Sequence, residues 1–306
     1  MAHRKRAFSM TSNNDAAMTE EYHRCREAVD KRLSEFFTQD KSYAVLPEAM
    51  RYSLLAGGKR VRAVICIKFC EAAGGVVDKV LDAACAIEML HAYSLIHDDL
   101  PCMDDDDVRR GKPSNHIVFG EFTAVLAGDA LQAAAFETLL GSGLPPEAVV
   151  LMARVLAQAA GPHGICAGQY LDLLSEGKSV GREALEEIHR LKTAALISAS
   201  SQIGVLAAGG TLEQVEAAAR YADALGMAFQ VRDDLLDCIS TTQELGKSAN
   251  SDVERNKTTF ATLYSTHECE EIIQEETNKA IKALNTVFRN TEFLTWLARM
   301  LAGRRS

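Results

Sequence analysis

Residues 95–116 read LIHDDLPCMDDDDVRRGKPSNH, with six carboxylates (Asp98, Asp99 and Asp104 to Asp107) followed at once by Arg109 and Arg110. The preceding stretch, VLDAACAIEMLHAYS, is apolar at helical spacing, so the acidic run stands at the C-terminal end of a buried helix. Pro101 disfavours helical geometry in Leu100 and cannot donate the next hydrogen bond, which ends the helix there. Asp98 and Asp99 therefore sit at the negative pole of a helix dipole, where each carboxylate costs roughly 0.3–1 kcal/mol. A simple solvated cap would carry Lys or Arg.

The pattern recurs downstream in FQVRDDLLD, residues 229–237. Asp233 and Asp237 stand four apart on one face with Gln230 and Gly226, and like charges at that spacing repel. Two unfavourable clusters at the ends of two apolar helices are accounted for by a shared hard cation. Oxygen ligands with incomplete protein coordination suit Mg²⁺ that also binds a substrate diphosphate. Asp105, Asp106 and Asp107 read as solvated loop. An EF-hand is excluded, because the required Gly and terminal Glu are missing.

Cations are placed to meet a phosphate. LLAGGKRVRAVI ends one helix at Gly57-Gly58 and opens another near Arg62, so Lys59, Arg60 and Arg62 sit where free backbone amides and a positive dipole end converge. Lys59 and Arg62 are three apart and can grip one diphosphate. Arg109 and Arg110 follow the first acidic cluster. Lys192-Thr193 interrupts an apolar helical stripe, and Lys247 and Lys257 follow the second cluster in loop-like sequence. His91, seven residues before Asp98, shares its face and reads as a further diphosphate donor. His97 and His116 read as structural.

The rest of the chain is helical at three-four spacing, with Gly and Pro punctuation and almost no β-branched alternation, which predicts an all-α bundle of roughly ten helices. Thr211 to Gln214 fits a capping box opening a helix that runs to about Ile239, and Pro145-Pro146 suits another first turn. No linker or repeat divides residues 20–306, read as one domain. The basic, Ser/Thr-rich residues 1–19 read as a disordered tail, with a vestige of a transit peptide as the alternative. A net charge of −9 argues against nucleic-acid binding, and no unbroken apolar run reaches the length of about 18 residues that spans a membrane. The eight scattered cysteines lack zinc spacing and read as buried thiols in a reducing cytoplasm.

Taken in order, GGKRVR, HAYSLIHDDLPCMDDDDVRRGKPSNH, LAGDAL, GQYLDL, LKT, FQVRDDLLD and GKSANSDVERNKTT resemble the trans-isoprenyl diphosphate synthases over Pro47 to Phe260. The two extra residues in DDLPCMD are similar to the bacterial and plant-plastid branch. The resemblance implies the isoprenoid synthase fold, helices around a central cavity, and a homodimer. It implies that Asp98 and Asp104, supported by Asp99, hold magnesium on one side of an allylic diphosphate, with Asp233, Asp234 and Asp237 on the other. Arg109, Lys192, Lys247 and Lys257 would bind that diphosphate. Lys59, Arg62, His91 and Arg110 would bind the diphosphate of isopentenyl diphosphate, while Thr193 and Gln230 face the reacting carbons.

The implied reaction needs no nucleophile: diphosphate departs, the isopentenyl double bond attacks the allylic cation, and a proton is lost. Tyr93 and Ser94, one turn before Asp98, stand where short-chain members carry the floor of the prenyl cavity. The large Tyr93 ring leads to an expected C15 product, farnesyl diphosphate, with C20 as the alternative. A terpene cyclase and a silent partner subunit fit less well, since both acidic clusters and GGKRVR are present. The expected location is cytoplasmic, with plastid targeting left open.

Overall fold

The computed structural model describes residues 2–38, 42–239, 258–285 and 287–304, with side chains described from 14 onward and not at 239. The helices are α1 (Ala2–Ser34), α2 (Val45–Leu54), α3 (Val61–Ala72), α4 (Val77–Asp98), α5 (Asn115–Phe119), α6 (Glu121–Leu140) and α7 (Pro146–Ala160). They continue with α8 (Ile165–Ser175), α9 (Arg182–His189), α10 (Ala195–Ala207), α11 (Leu212–Ile239), α12 (Phe260–Leu263), α13 (Thr266–Asn285) and α14 (Glu292–Ala302). The architecture is the all-α bundle expected. Helix α1 already begins at Ala2, where the sequence suggests a tail.

Helix α4 is buried on every side from Ala83 to Leu90, with Glu88 the one charged residue of that stretch, which marks it as the central helix rather than a surface one. It packs against α3 and α6, and α10 packs against α3, α7 and α11. In α10 the buried Ser200 and Ser201 satisfy their hydroxyls on backbone carbonyls, at 2.6 Å to Leu196 and 2.8 Å to Ser198. That removes the desolvation penalty of a polar group in the core. Phe69, Tyr221 and Phe288 close the far end with edge-on ring contacts at 5.2 and 5.5 Å.

The predicted cap of α11 is present: Thr211 N–H donates to Gln214 Oε1 at 2.9 Å and Gln214 N–H to Thr211 Oγ1 at 3.3 Å. Pro146 opens α7 as expected. The stretch Pro146–Ser175 is apolar enough in composition to reach across a membrane. It is nevertheless broken into α7 and α8 by residues 161–164.

Two local features differ from the sequence reading. Strands β1 (Val108–Arg109) and β2 (Lys112–Pro113) form a hairpin, turned by Arg110 and Gly111 at φ 54° and 72°. Positive φ at both central residues is the turn that matches strand twist. The cysteines are also not uniformly buried, since Cys102, Cys166 and Cys238 are exposed.

Candidate active site

The first acidic cluster is shaped by the turn after α4. Asp104 N–H donates to the Asp98 carbonyl at 2.8 Å and Asp105 N–H to Leu100 at 3.1 Å, so the chain folds back and brings Asp104 beside Asp98. The two extra residues of DDLPCMD are absorbed in this turn. Burial, with Asp104 and Asp99 nearby, pushes the Asp98 carboxyl up to about 6 against the pull of Lys192 and Arg109. Asp99 points elsewhere: it is buried, and Arg109 donates to its Oδ1 through both Nε, at 2.8 Å, and Nη2. Arg109 also reaches Asp106 at 3.2 Å, so Asp106 is engaged rather than simply solvated.

The sign of the Asp98 shift makes a measurable prediction. Folded, metal-free protein keeps this proton to about pH 6, whereas the unfolded chain loses it near pH 4. Stability is therefore lost as pH rises from about 4 to about 6. Relative to wild type, Asp98→Asn should gain about 1–3 kcal/mol more at pH 8 than at pH 4 in urea unfolding with chelator present. Equal increments at the two pH values would show that Asp98 carries no such strain.

The basic side is built around the start of α3. Arg60 adopts φ 50°, caps the helix and is buried, tied to Glu88 at 3.2 Å, Asp30 at 2.8 Å and the Leu54 carbonyl at 2.7 Å. Its neighbours Lys59 and Arg62 lie within electrostatic reach of Asp233. Arg62 Nη1 lies 3.3 Å from His91 Nε2, and its buried Nε has no hydrogen-bond partner among the described residues. Burial lowers the Arg62 and Lys59 values, with Arg304 adding to the effect on Lys59, and Asp233 opposes both shifts. Burial, then Arg62 and Arg110, hold His91 well below its usual range, so its imidazole is neutral. The hairpin directs Arg110 onto the Gly57 carbonyl, and a Cβ on Gly58 would come within 2.9 Å of that guanidinium.

Lys192 and Thr193 lie in a π-helical turn, Arg190–Ala194, between α9 and α10. The wider turn lets adjacent residues reach different helices. Lys192 Nζ meets Asp172 of α8 at 2.7 Å, and Thr193 donates to Gln230 Oε1 of α11 at 3.0 Å. Burial works against the Lys192 charge, but Asp172, Asp98 and Asp104 outweigh it and raise the amine. Gly168 permits this contact, since a Cβ there would collide with the Lys192 backbone.

The second cluster divides in the same way as the first. Asp233 meets Arg304 at 2.6 Å, and Arg304 lies over the Phe229 ring at 3.8 Å. Buried Asp234 accepts from Phe260 N–H at 2.8 Å and from Gln230 at 3.1 Å, tying α11 to α12. Asp237 is buried on the same helix. At the tail end Tyr93 is buried, edge-on to His97 at 5.5 Å, with its hydroxyl 3.6 Å from Cys166 Sγ. Ser94 donates to the His91 carbonyl at 3.0 Å. Lys247 and Lys257 lie outside the described residues.

Sequence reasoning overlooked Asp172 and Arg304. GQYLDL is visible as a motif, but its aspartate gains meaning only from Lys192, and nothing local marks the terminal GRRS. The donor set fits a hard divalent cation: oxygen ligands only, with Asp98 held up to about 6 by burial until an adjacent positive charge relieves it. Among the described residues no three His, Cys, Asp or Glu side chains converge enough to enclose a metal.

Comparison with known proteins agrees with this chemistry. The family model for polyprenyl synthetase matches residues 43–291. The chain is 50% identical over 245 residues to geranylgeranyl pyrophosphate synthase 11, chloroplastic, of Arabidopsis thaliana, covering 78% of this chain and 69% of that protein. It is 49% identical over 240 residues to the heterodimeric geranylgeranyl pyrophosphate synthase large subunit 1, chloroplastic, of the same plant, covering 76% and 65%. The structure of an FPP/GFPP synthase from Zymomonas mobilis superposes with a TM-score of 0.83 at 31% identity, covering 94% of this chain and all of that one (100%). The chain belongs to the polyprenyl synthetase family, and its activity is that of a prenyltransferase.

Proposed function

We propose that the protein is a geranylgeranyl diphosphate synthase, joining isopentenyl diphosphate head-to-tail to allylic diphosphates up to C20. The observation that carries the C20 assignment is the 50% identity over 245 residues to a geranylgeranyl synthase. This replaces the C15 product expected from Tyr93.

In this reading Arg62, Lys59, Arg110 and neutral His91 bind the isopentenyl diphosphate, and the unpartnered Arg62 Nε supplies a donor for it. Lys192 and Arg109 bind the allylic diphosphate. Magnesium held by Asp98 and Asp104 on one wall and Asp233 on the other would neutralise charge on the leaving group. Asp99 and Asp234 hold the scaffold through Arg109 and the Phe260 amide. The allylic C–O bond breaks with its electron pair going to diphosphate. The isopentenyl π electrons form the new C–C bond, and a proton passes from the adjacent carbon to the released diphosphate, its C–H electron pair forming the new double bond. Thr193 and Gln230 flank the reacting carbons.

We also assign a homodimer. Phe122 (77% exposed) and Leu126 (50%) of α6, and Val150 (65%) and Leu151 (48%) of α7, are large exposed apolar side chains of the kind that a second copy would cover. The chloroplastic relatives support a plastid location over the cytoplasmic one.

Chromatography of dephosphorylated products from dimethylallyl and isopentenyl diphosphates tests the assignment. Wild type should give C20, and Tyr93→Ala products at least as long. C15 as the sole wild-type product would overturn the C20 assignment.

A further inference from the structure

Helix α8 carries a polar side chain that nothing in the fold explains. Gln169 is 5% exposed, and among the described residues neither its Nε2 nor its Oε1 has a hydrogen-bond partner. Leaving both ends of an amide unsatisfied in the interior is costly, and such groups are rare enough in folded proteins to need a reason. The other glutamine of the site is fully engaged, Gln230 accepting from Thr193 at 3.0 Å and donating to Asp234 at 3.1 Å.

The position of Gln169 supplies the reason. With about 100° of rotation per residue, Gln169 lies angularly between Asp172 and Cys166 on α8. Asp172 holds Lys192 at 2.7 Å, at the diphosphate end, and Cys166 contacts the Tyr93 hydroxyl at 3.6 Å, at the tail end. Each is three residues, or about 4.5 Å of rise, from Gln169. The unpartnered amide therefore stands at the height of the first carbons below the diphosphate.

We infer that Gln169 is a catalytic residue of the condensation: its carbonyl oxygen faces the allylic carbons and stabilises the positive charge that develops on them as diphosphate departs. A fixed carbonyl dipole with no competing hydrogen bond needs no reorganisation when that charge appears. Its orphaned state in the resting protein is the stability cost of that readiness. The inference rests on prenyl transfer at this site and not on product length.

The test compares wild type with Gln169→Met, of similar volume and apolar, and Gln169→Glu, which keeps an acceptor oxygen. Gln169→Met should lower kcat about 10- to 100-fold with KM for isopentenyl diphosphate unchanged. Its melting temperature should meanwhile rise by about 2–5 °C, because two unsatisfied groups are removed. Gln169→Glu should keep a kcat between the two. A Gln169→Met variant with wild-type kcat would overturn the inference, as would one that loses kcat and melting temperature together, since that marks a structural amide or a buried water. The wild-type product, recorded in the same assay, tests the C20 assignment separately: C15 there would sink that assignment and leave the Gln169 comparison intact.

Discussion

Asp98→Ala and Asp233→Ala are each expected to lower turnover by about 10³-fold or more while the protein remains folded. The two carboxylates come from the C-terminal parts of α4 and α11, and they stand in different surroundings. Burial lifts Asp98 to about 6, and Asp233 is met by Arg304, a residue at the far end of the chain. Removing Asp98 relieves local repulsion, so stability should hold or rise, whereas removing Asp233 leaves the 10% exposed Arg304 short of a partner and should cost some stability without unfolding the protein; in both variants the leaving group loses its electrostatic support. Steady-state kinetics with magnesium, alongside thermal unfolding, checks this. Near-normal rates in both variants would remove the basis for the mechanism, and a parallel loss of folding would make the carboxylates structural.

The contrasting case is Glu88→Ala, which should cost about 3 kcal/mol or more in urea unfolding and lower the melting temperature by about 6–12 °C. Glu88 and Arg60 have side chains 2% exposed and meet at 3.2 Å, and Glu88 also accepts from the Ala63 amide at 3.3 Å. Cutting one partner leaves a buried guanidinium that Asp30, itself 42% exposed, compensates only in part. Because Arg60 stands between Lys59 and Arg62 at the start of α3, the surviving folded fraction should show a raised KM for isopentenyl diphosphate before any loss of kcat. A cost under about 1 kcal/mol, the range of an exposed pair, would mean the pair does not anchor the anion site.

Both acidic walls were legible because their signals are local. Pro101 stops α4, carboxylates at a negative dipole end are anomalous, and the Thr211 cap sets the start of α11, so Asp98 and Asp233 could be placed by counting residues. The division of labour within each wall could not. Asp99 and Asp98 are chemically identical neighbours, and only the hairpin at Arg110-Gly111 decides that Arg109 takes one of them. Asp234 differs from Asp233 because the Phe260 amide arrives beside it.

Helix periodicity, caps and chain breaks act over three or four residues, so the amino-acid sequence by itself determined the all-α fold, the two helix ends and the oxygen-rich, cation-flanked chemistry. The partners that assign roles lie farther away: 20 residues separate Asp172 from Lys192, 26 separate Asp234 from Phe260, and 53 separate Gly57 from Arg110. Nothing in a local pattern encodes which of two like groups a distant one will meet. Tertiary packing alone decided that Lys192 rests on Asp172, that Arg304 guards Asp233, and that Gln169 is left with a bare amide, since burial and contact exist only once the helices are brought together.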